Sequence, residues 1–192
     1  MFILKLNNFG DFFSLCNKHI IINSDNTCCV IGNREIEVNE HLKNVLRIIL
    51  EFLILYNNVQ VFLFGSKSKF NDICYEIVSK LKEKHPNIKR IYVRAEFPYI
   101  NDSYKEYLSS LYEDSFFPEK ILGAGKYSYV ERNFEMIRLS SFCLFYNDIN
   151  YIPKEKEEKW LIKKRKSGTK QAFLYAQKLG KNIINICDFL NN

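Results

Sequence analysis

The chain predicts an α/β fold: a doubly wound, mainly parallel sheet with helices on both faces. Three observations predict it. Short apolar runs rich in β-branched and aromatic residues alternate with stretches of helical spacing from about residue 27 to 187. Runs end in small or polar turns, Gly32-Asn33-Arg34 and Gly65-Ser66-Lys67-Ser68, as strand-to-helix connections do. The 192 residues are enough for one core that needs no disulfide staples. The expected architecture is Rossmann-like, with residues 1–192 as a single domain.

Each element follows in order. Residues 1–26 form an N-terminal edge extension in which Phe2-Ile3-Leu4 and Ile20-Ile21-Ile22 are candidate edge strands. A compact strand over 27–31 is followed by a long helix over 39–56, then by a strand over 59–64. In 70–84, Phe70, Ile73, Cys74, Ile77, Val78 and Leu81 repeat at helical spacing until Pro86-Asn87 breaks it. The strand over 88–94 sends Ile91 and Val93 to one face and Tyr92 and Arg94 to the other. From 95 to 126 the pattern loosens, aromatics are dense, and only a helix over 103–111 is expected. A helix over 127–139 leads into the buried strand 142–145. Residues 147–166, with the one tryptophan Trp160, read as a mobile polar insertion. A helix over 169–179, stopped by Gly180, and a strand over 182–186 complete the chain.

Composition narrows the function. A net charge of +6 suits an anionic ligand and equally suits solubility, while no concentrated basic face argues for nucleic acid. The six cysteines show no C-x-x-C spacing and read as buried reduced thiols. The three histidines are too scattered for a zinc site, so no metal or cofactor is expected. The apolar run 45–56 contains Arg47 and Glu51 and is too short to span a bilayer; it reads as a helix covered on both sides. No basic region leads an apolar segment at the start, so the expectation is a cytoplasmic protein without a membrane partner.

Ligands of such sheets sit at the carboxyl ends of the strands. That places Gly32, Asn33 and Arg34, then Gly65, Ser66 and Lys67, then Arg94 and Glu96, on one rim with Ser167, Gly168 and Thr169. Gly65-Ser66-Lys67-Ser68 lacks Walker spacing but suits a phosphate or ribose; it serves equally as a turn and cap. Ser167-Gly168-Thr169 opens a clear helix, as a phosphate corner or as a plain N-cap. Glu131 and Arg132, with Asn133, offer acid/base and clamp side by side, or an exposed ion pair. Tyr92, Phe97, Tyr99, Tyr104, Tyr107, Tyr112, Phe116 and Phe117 offer a base-stacking wall, or core and lid packing.

Glu131-Arg132-Asn133-Phe134-Glu135-Met136 resembles the E-R-K-x-E-M segment of LOG-type phosphoribohydrolases. Ser167-Gly168-Thr169 resembles the end of that family's P-G-G-x-G-T-x-x-E loop. The order of these segments around a buried strand is similar to that in the SLOG superfamily of Rossmann-like nucleotide-binding proteins, among them small bacterial and phage members. The resemblance implies a nucleotide pocket built by Gly65-Ser66, Arg132 and Gly168-Thr169, in a protein that pairs with itself, with the long helix 39–56 available for pairing. Arg132 matches the arginine that serves base–ribose cleavage in LOG enzymes. Ala172 stands where their glutamate is expected, beside the uncharged Gln171, and Arg165-Lys166 replaces the paired glycines. Cleavage through an oxocarbenium-like state needs a nearby carboxylate. The resulting expectation is a sensor or sequestering protein for a nucleotide-derived small molecule, a signalling nucleotide or ADP-ribose-like compound. The alternative is an N-glycosidase with Glu131, Arg132 and Glu96 as catalytic residues. A third reading is a partner-binding module that keeps only the fold.

Overall fold

The computed structural model describes residues 22–65, 67–151 and 167–190. The candidate edge strand at 2–4, residues 20 and 21, Ser66, Trp160 and the basic run 163–166 lie outside these residues.

Six strands form one all-parallel sheet: β1 (Thr27–Gly32), β2 (Val61–Phe64), β3 (Lys89–Val93), β4 (Asp114–Phe116), β5 (Phe142–Tyr146) and β6 (Asn182–Asn185). Their order is β4-β3-β2-β1-β5-β6, the Rossmann-like α/β fold that the alternating pattern predicts. β4 is the strand that the sequence did not announce. Its three residues, Asp114, Ser115 and Phe116, pair with Ile91, Tyr92 and Val93 at the sheet edge, too short and polar for an alternating signal.

Helices α1 (Glu40–Tyr56), α2 (Lys69–Lys84) and α3 (Asp102–Leu111) connect the first four strands; α4 (Ser128–Arg138) and α5 (Gly168–Lys178) flank β5, and the short α6 (Cys187–Leu190) follows β6. Four of these helices, α1, α2, α3 and α5, start where a polar side chain holds an orphan N–H, whereas α4 begins without a side-chain cap. Asn39 accepts from the N–H of Leu42, Ser68 from Asn71, Asn101 from Tyr104 and Ser167 from Lys170. Adjacent strand residues point to opposite faces, so neighbouring cysteines separate. Cys28, with Val30, Phe62, Phe64 and Leu144, faces the α1–α2 side. Cys29, with Ile31, Leu63, Val93 and Cys143, faces the α4–α5 side. Cys28, Cys29, Cys74 and Cys143 are buried free thiols, and burial pushes the Cys28, Cys29 and Cys74 thiols up.

α1 departs from the expectation of a helix covered on both sides. Leu42, Leu46, Leu50 and Leu53 are buried against the sheet and α2, each contributing about 1.5–3 kcal/mol. Its outer stripe is open: Ile48 is 58% exposed, Phe52 52% and Leu55 55%. The sequence alone cannot separate two apolar stripes from two covered faces. Among the described residues no helix is long and apolar enough to cross a membrane.

Candidate functional site

The carboxyl ends of β2 and β3 meet over a buried arginine. α4 turns Arg132, Asn133, Met136 and Ile137 inward, the i, i+1, i+4, i+5 stripe of a helix lying on a sheet. Arg132 is only 2% exposed. Its Nη1 donates to the carbonyl of Val93 at 3.4 Å, and its Nε donates to Oδ1 of Asn133 at 3.0 Å. The Tyr129 ring lies 5.7 Å from its guanidinium carbon. Both hydrogen-bond acceptors are neutral, and among the described residues the guanidinium has no ion pair. Burial holds its pKa down at about 10, against weaker raising effects of Tyr92, Glu96 and Tyr129. A buried charge whose hydrogen-bond partners are all neutral is costly, and the fold retains it.

Gly65 makes room for this group. A Cβ there would stand 2.8 Å from both Cδ and Nη1 of Arg132. The Gly65 N–H is turned the other way, donating to Oδ1 of Asn71 at 3.4 Å, while Nδ2 of Asn71 donates to the carbonyl of Val30 at 3.3 Å. Asn71 thereby ties the ends of β1 and β2 to the first turn of α2. The α2 start is also fixed on the loop that follows β1, because the Lys69 N–H donates to the Arg34 carbonyl at 3.0 Å.

A cleft of about 590 Å³ opens beside this junction on the α2–α3 side. Arg34, Lys67 and Lys69 stand in its lining, with Asp72, Tyr75 and Glu76 from α2, Tyr104 and Tyr107 from α3, and Tyr92 and Tyr112. The tyrosines pack on one another: Tyr75 and Tyr112 centroids are 5.1 Å apart, Tyr92 and Tyr112 5.3 Å, Tyr104 and Tyr107 6.1 Å. Arg132 does not line the cleft. Tyr92 is the connection, because it lines the cleft and its phenol feels the Arg132 charge.

The other expected site residues fall into distinct places. Gly32 is buried beneath Phe70, whose ring carbons would lie 2.3 and 2.5 Å from a Cβ there. Asn33, 1% exposed, joins β1 to β5: its N–H donates to the Tyr146 carbonyl and its Oδ1 accepts from Asp148 N–H, both at 3.0 Å. Arg94 is buried, and its Nη1 donates to the carbonyls of Phe97 and Pro98 at 3.1 and 3.2 Å, which folds the segment after β3 back on itself. Glu96 is half-buried and acts on Arg94, Arg132 and Tyr92. Glu131 is turned towards Arg138, 4.0 Å away, so the helix separates it from its neighbour Arg132. Ser167 caps α5, Gly168 is open to solvent and Thr169 is buried; none of the three lines the cleft.

Sequence reasoning passed over Asn71, Asp72, Tyr75 and Glu76. The strong apolar repeat of α2 directed attention to its core face, but Asp72 and Glu76, four residues apart, were a visible sign of a second, polar face. Of the aromatic set, Tyr92, Tyr104, Tyr107 and Tyr112 line the cleft, whereas Phe117 is buried in a separate small cluster and Phe97 is exposed. Among the described residues, no group of three His, Cys, Asp or Glu side chains could hold a metal ion. Compared with known protein families the chain matches none, and it matches none of the curated proteins either.

Proposed function

We propose that this protein binds a nucleotide-derived small molecule, with a phosphate over the Gly65 loop and the base in the tyrosine cleft, as a sensor or sequestering protein. One observation carries the reading: Arg132 keeps a buried positive charge, with neutral hydrogen-bond partners, directly behind Gly65. That charge adds to the N-terminus of α2 and to Lys67 and Arg34, making this strand end attractive to an anion. Tyrosine faces beside it suit a flat base. The likeness of Glu131–Met136 and Ser167–Thr169 to LOG-type segments supports the same reading and extends it to a SLOG-like protein, although Ser167, Gly168 and Thr169 lie outside this cleft.

A second reading, cleavage of a base–ribose bond, is favoured by Glu96. This half-buried carboxylate acts on both Arg132 and Tyr92 from the end of β3. It is better placed than Glu131, which is directed at Arg138. Incubation with a mixed pool of nucleotides, followed by chromatography, distinguishes the two. The binding reading expects one compound depleted and recovered intact on denaturing the protein. Release of a free base that stops in Glu96→Gln supports the enzyme. An intact, undepleted pool contradicts both.

A further inference from the structure

The cleft carries charge of both signs, separated along α2. Lys67 and Lys69 stand at the helix start, where Glu35 engages Lys69 at 3.0 Å. Asp72 and Glu76 follow further along α2 and share one side of it, since residues four apart on a helix are neighbours. From Lys69 to Glu76 the axis rises about 10 Å. Neither carboxylate has a hydrogen bond or ion pair among the described residues. Lys43 of α1 acts on Glu76 but is itself engaged by Glu40 at 2.7 Å. Burial, then the neighbouring Glu76 charge, pushes the Asp72 carboxyl up, and the two like charges stand together in the cleft lining. Across from them α3 contributes the stacked pair Tyr104 and Tyr107.

A wall that is both aromatic and negative favours one kind of group. Tyrosine faces attract a flat cation, and the carboxylates add Coulomb attraction at the cleft surface. A neutral base gains stacking alone, and a second anionic group at this end is repelled. Resting on the phosphate assignment above, we propose that the cleft selects a nucleotide whose base is positively charged. Its phosphate lies at the Lys67 end and its cationic ring between Asp72–Glu76 and Tyr104–Tyr107.

The test titrates the full chain by calorimetry at pH 8 and low salt with three probes. These are oxidised nicotinamide mononucleotide, whose ring is a pyridinium, the reduced form, whose ring is neutral, and adenosine monophosphate. The expected result is at least tenfold tighter binding of the oxidised form. In Asp72→Asn/Glu76→Gln the oxidised form weakens and the reduced form does not, closing the gap to under threefold; both positions are solvent-exposed, and a thermal melt checks the fold. Equal affinities in the unmodified protein, or a preference that survives the double substitution, overturn the charge selection. If adenosine monophosphate binds under that outcome, the phosphate assignment stands alone. If no probe binds, both fall.

Discussion

Gly65 and Arg132 share one gap at the end of β2: the guanidinium occupies the space a side chain at Gly65 would take, with Nη1 2.8 Å from the position of its Cβ. Gly65→Ala therefore displaces Arg132 from its bonds to Val93 and Asn133. The expected outcome is a loss of about 1–3 kcal/mol of stability, together with at least tenfold weaker nucleotide binding. Thermal melts and calorimetric titration of the variant check both. Unchanged binding with a displaced arginine would separate Arg132 from the site.

Gly32 and Phe70 form a second such pair, with a purely structural consequence. Phe70 is fully buried, and a Cβ on Gly32 would enter its ring. Gly32→Ala is expected to destabilise by about 1–3 kcal/mol or more. Removing the ring in Gly32→Ala/Phe70→Ala should cost less than the two single losses added together, because the Cγ and Cδ1 that the new Cβ meets are gone. If the double variant melts at the sum of two independent losses, the steric account is wrong.

Acid sensitivity has a defined source in the β3–β4 edge. Arg90 donates to both Glu113 carboxylate oxygens, at 2.6 Å through Nη2 and 3.2 Å through Nε, and also to Ser79 Oγ at 2.7 Å. Burial alone would raise the Glu113 carboxyl; its bonds to Arg90 outweigh this and hold it below its ordinary 4.5. A carboxylate depressed in the folded state adds stability that is present above the unfolded value and lost as pH falls through the folded one. Glu113→Gln should cost about 1 kcal/mol at neutral pH, a figure reduced for partial solvent screening. The difference from the unmodified protein should shrink as pH falls below 4.5. Denaturant melts at several pH values measure it, and a pH-independent difference would contradict the linkage.

Glu131 and Glu96 give opposite forecasts under the cleavage reading. Glu131→Gln removes only a partly exposed ion pair with Arg138 and should change stability by under about 1 kcal/mol, with no effect on any base release. Glu96→Gln should lower base release at least a hundredfold if the protein cleaves a base–ribose bond. Rate measurements on the chromatographic assay check the pair, and the reverse order would return the chemistry to Glu131.

Most of the fold was legible because strand and helix periods are local. The starts of α1, α2, α3 and α5 follow from residue spacing and polar caps, and α4 and the buried run at β5 from spacing alone. β4 was not legible, since three residues paired at an edge carry no period. The site was only partly legible. Reading Glu131 and Arg132 as neighbours placed them together, yet successive helical side chains diverge by about 100°. One therefore reaches Val93 while the other meets Arg138. The depth of Arg132 depends on Gly65, 67 positions earlier in the chain, a relation no local pattern contains. The tyrosine cleft likewise arises from α2, α3 and β3 meeting in space.

The central claim is that the buried charge of Arg132 supports binding of a phosphate-bearing nucleotide at the Gly65 loop. Calorimetric titration of adenosine monophosphate and ADP-ribose into the unmodified protein and Arg132→Ala tests it most directly, with circular dichroism to verify the fold. The account predicts saturable binding of at least one compound and a loss of tenfold or more, about 1.4 kcal/mol, in the variant. Equal affinity in a folded Arg132→Ala protein, or no binding of these two compounds or of oxidised nicotinamide mononucleotide to the unmodified chain, would contradict it.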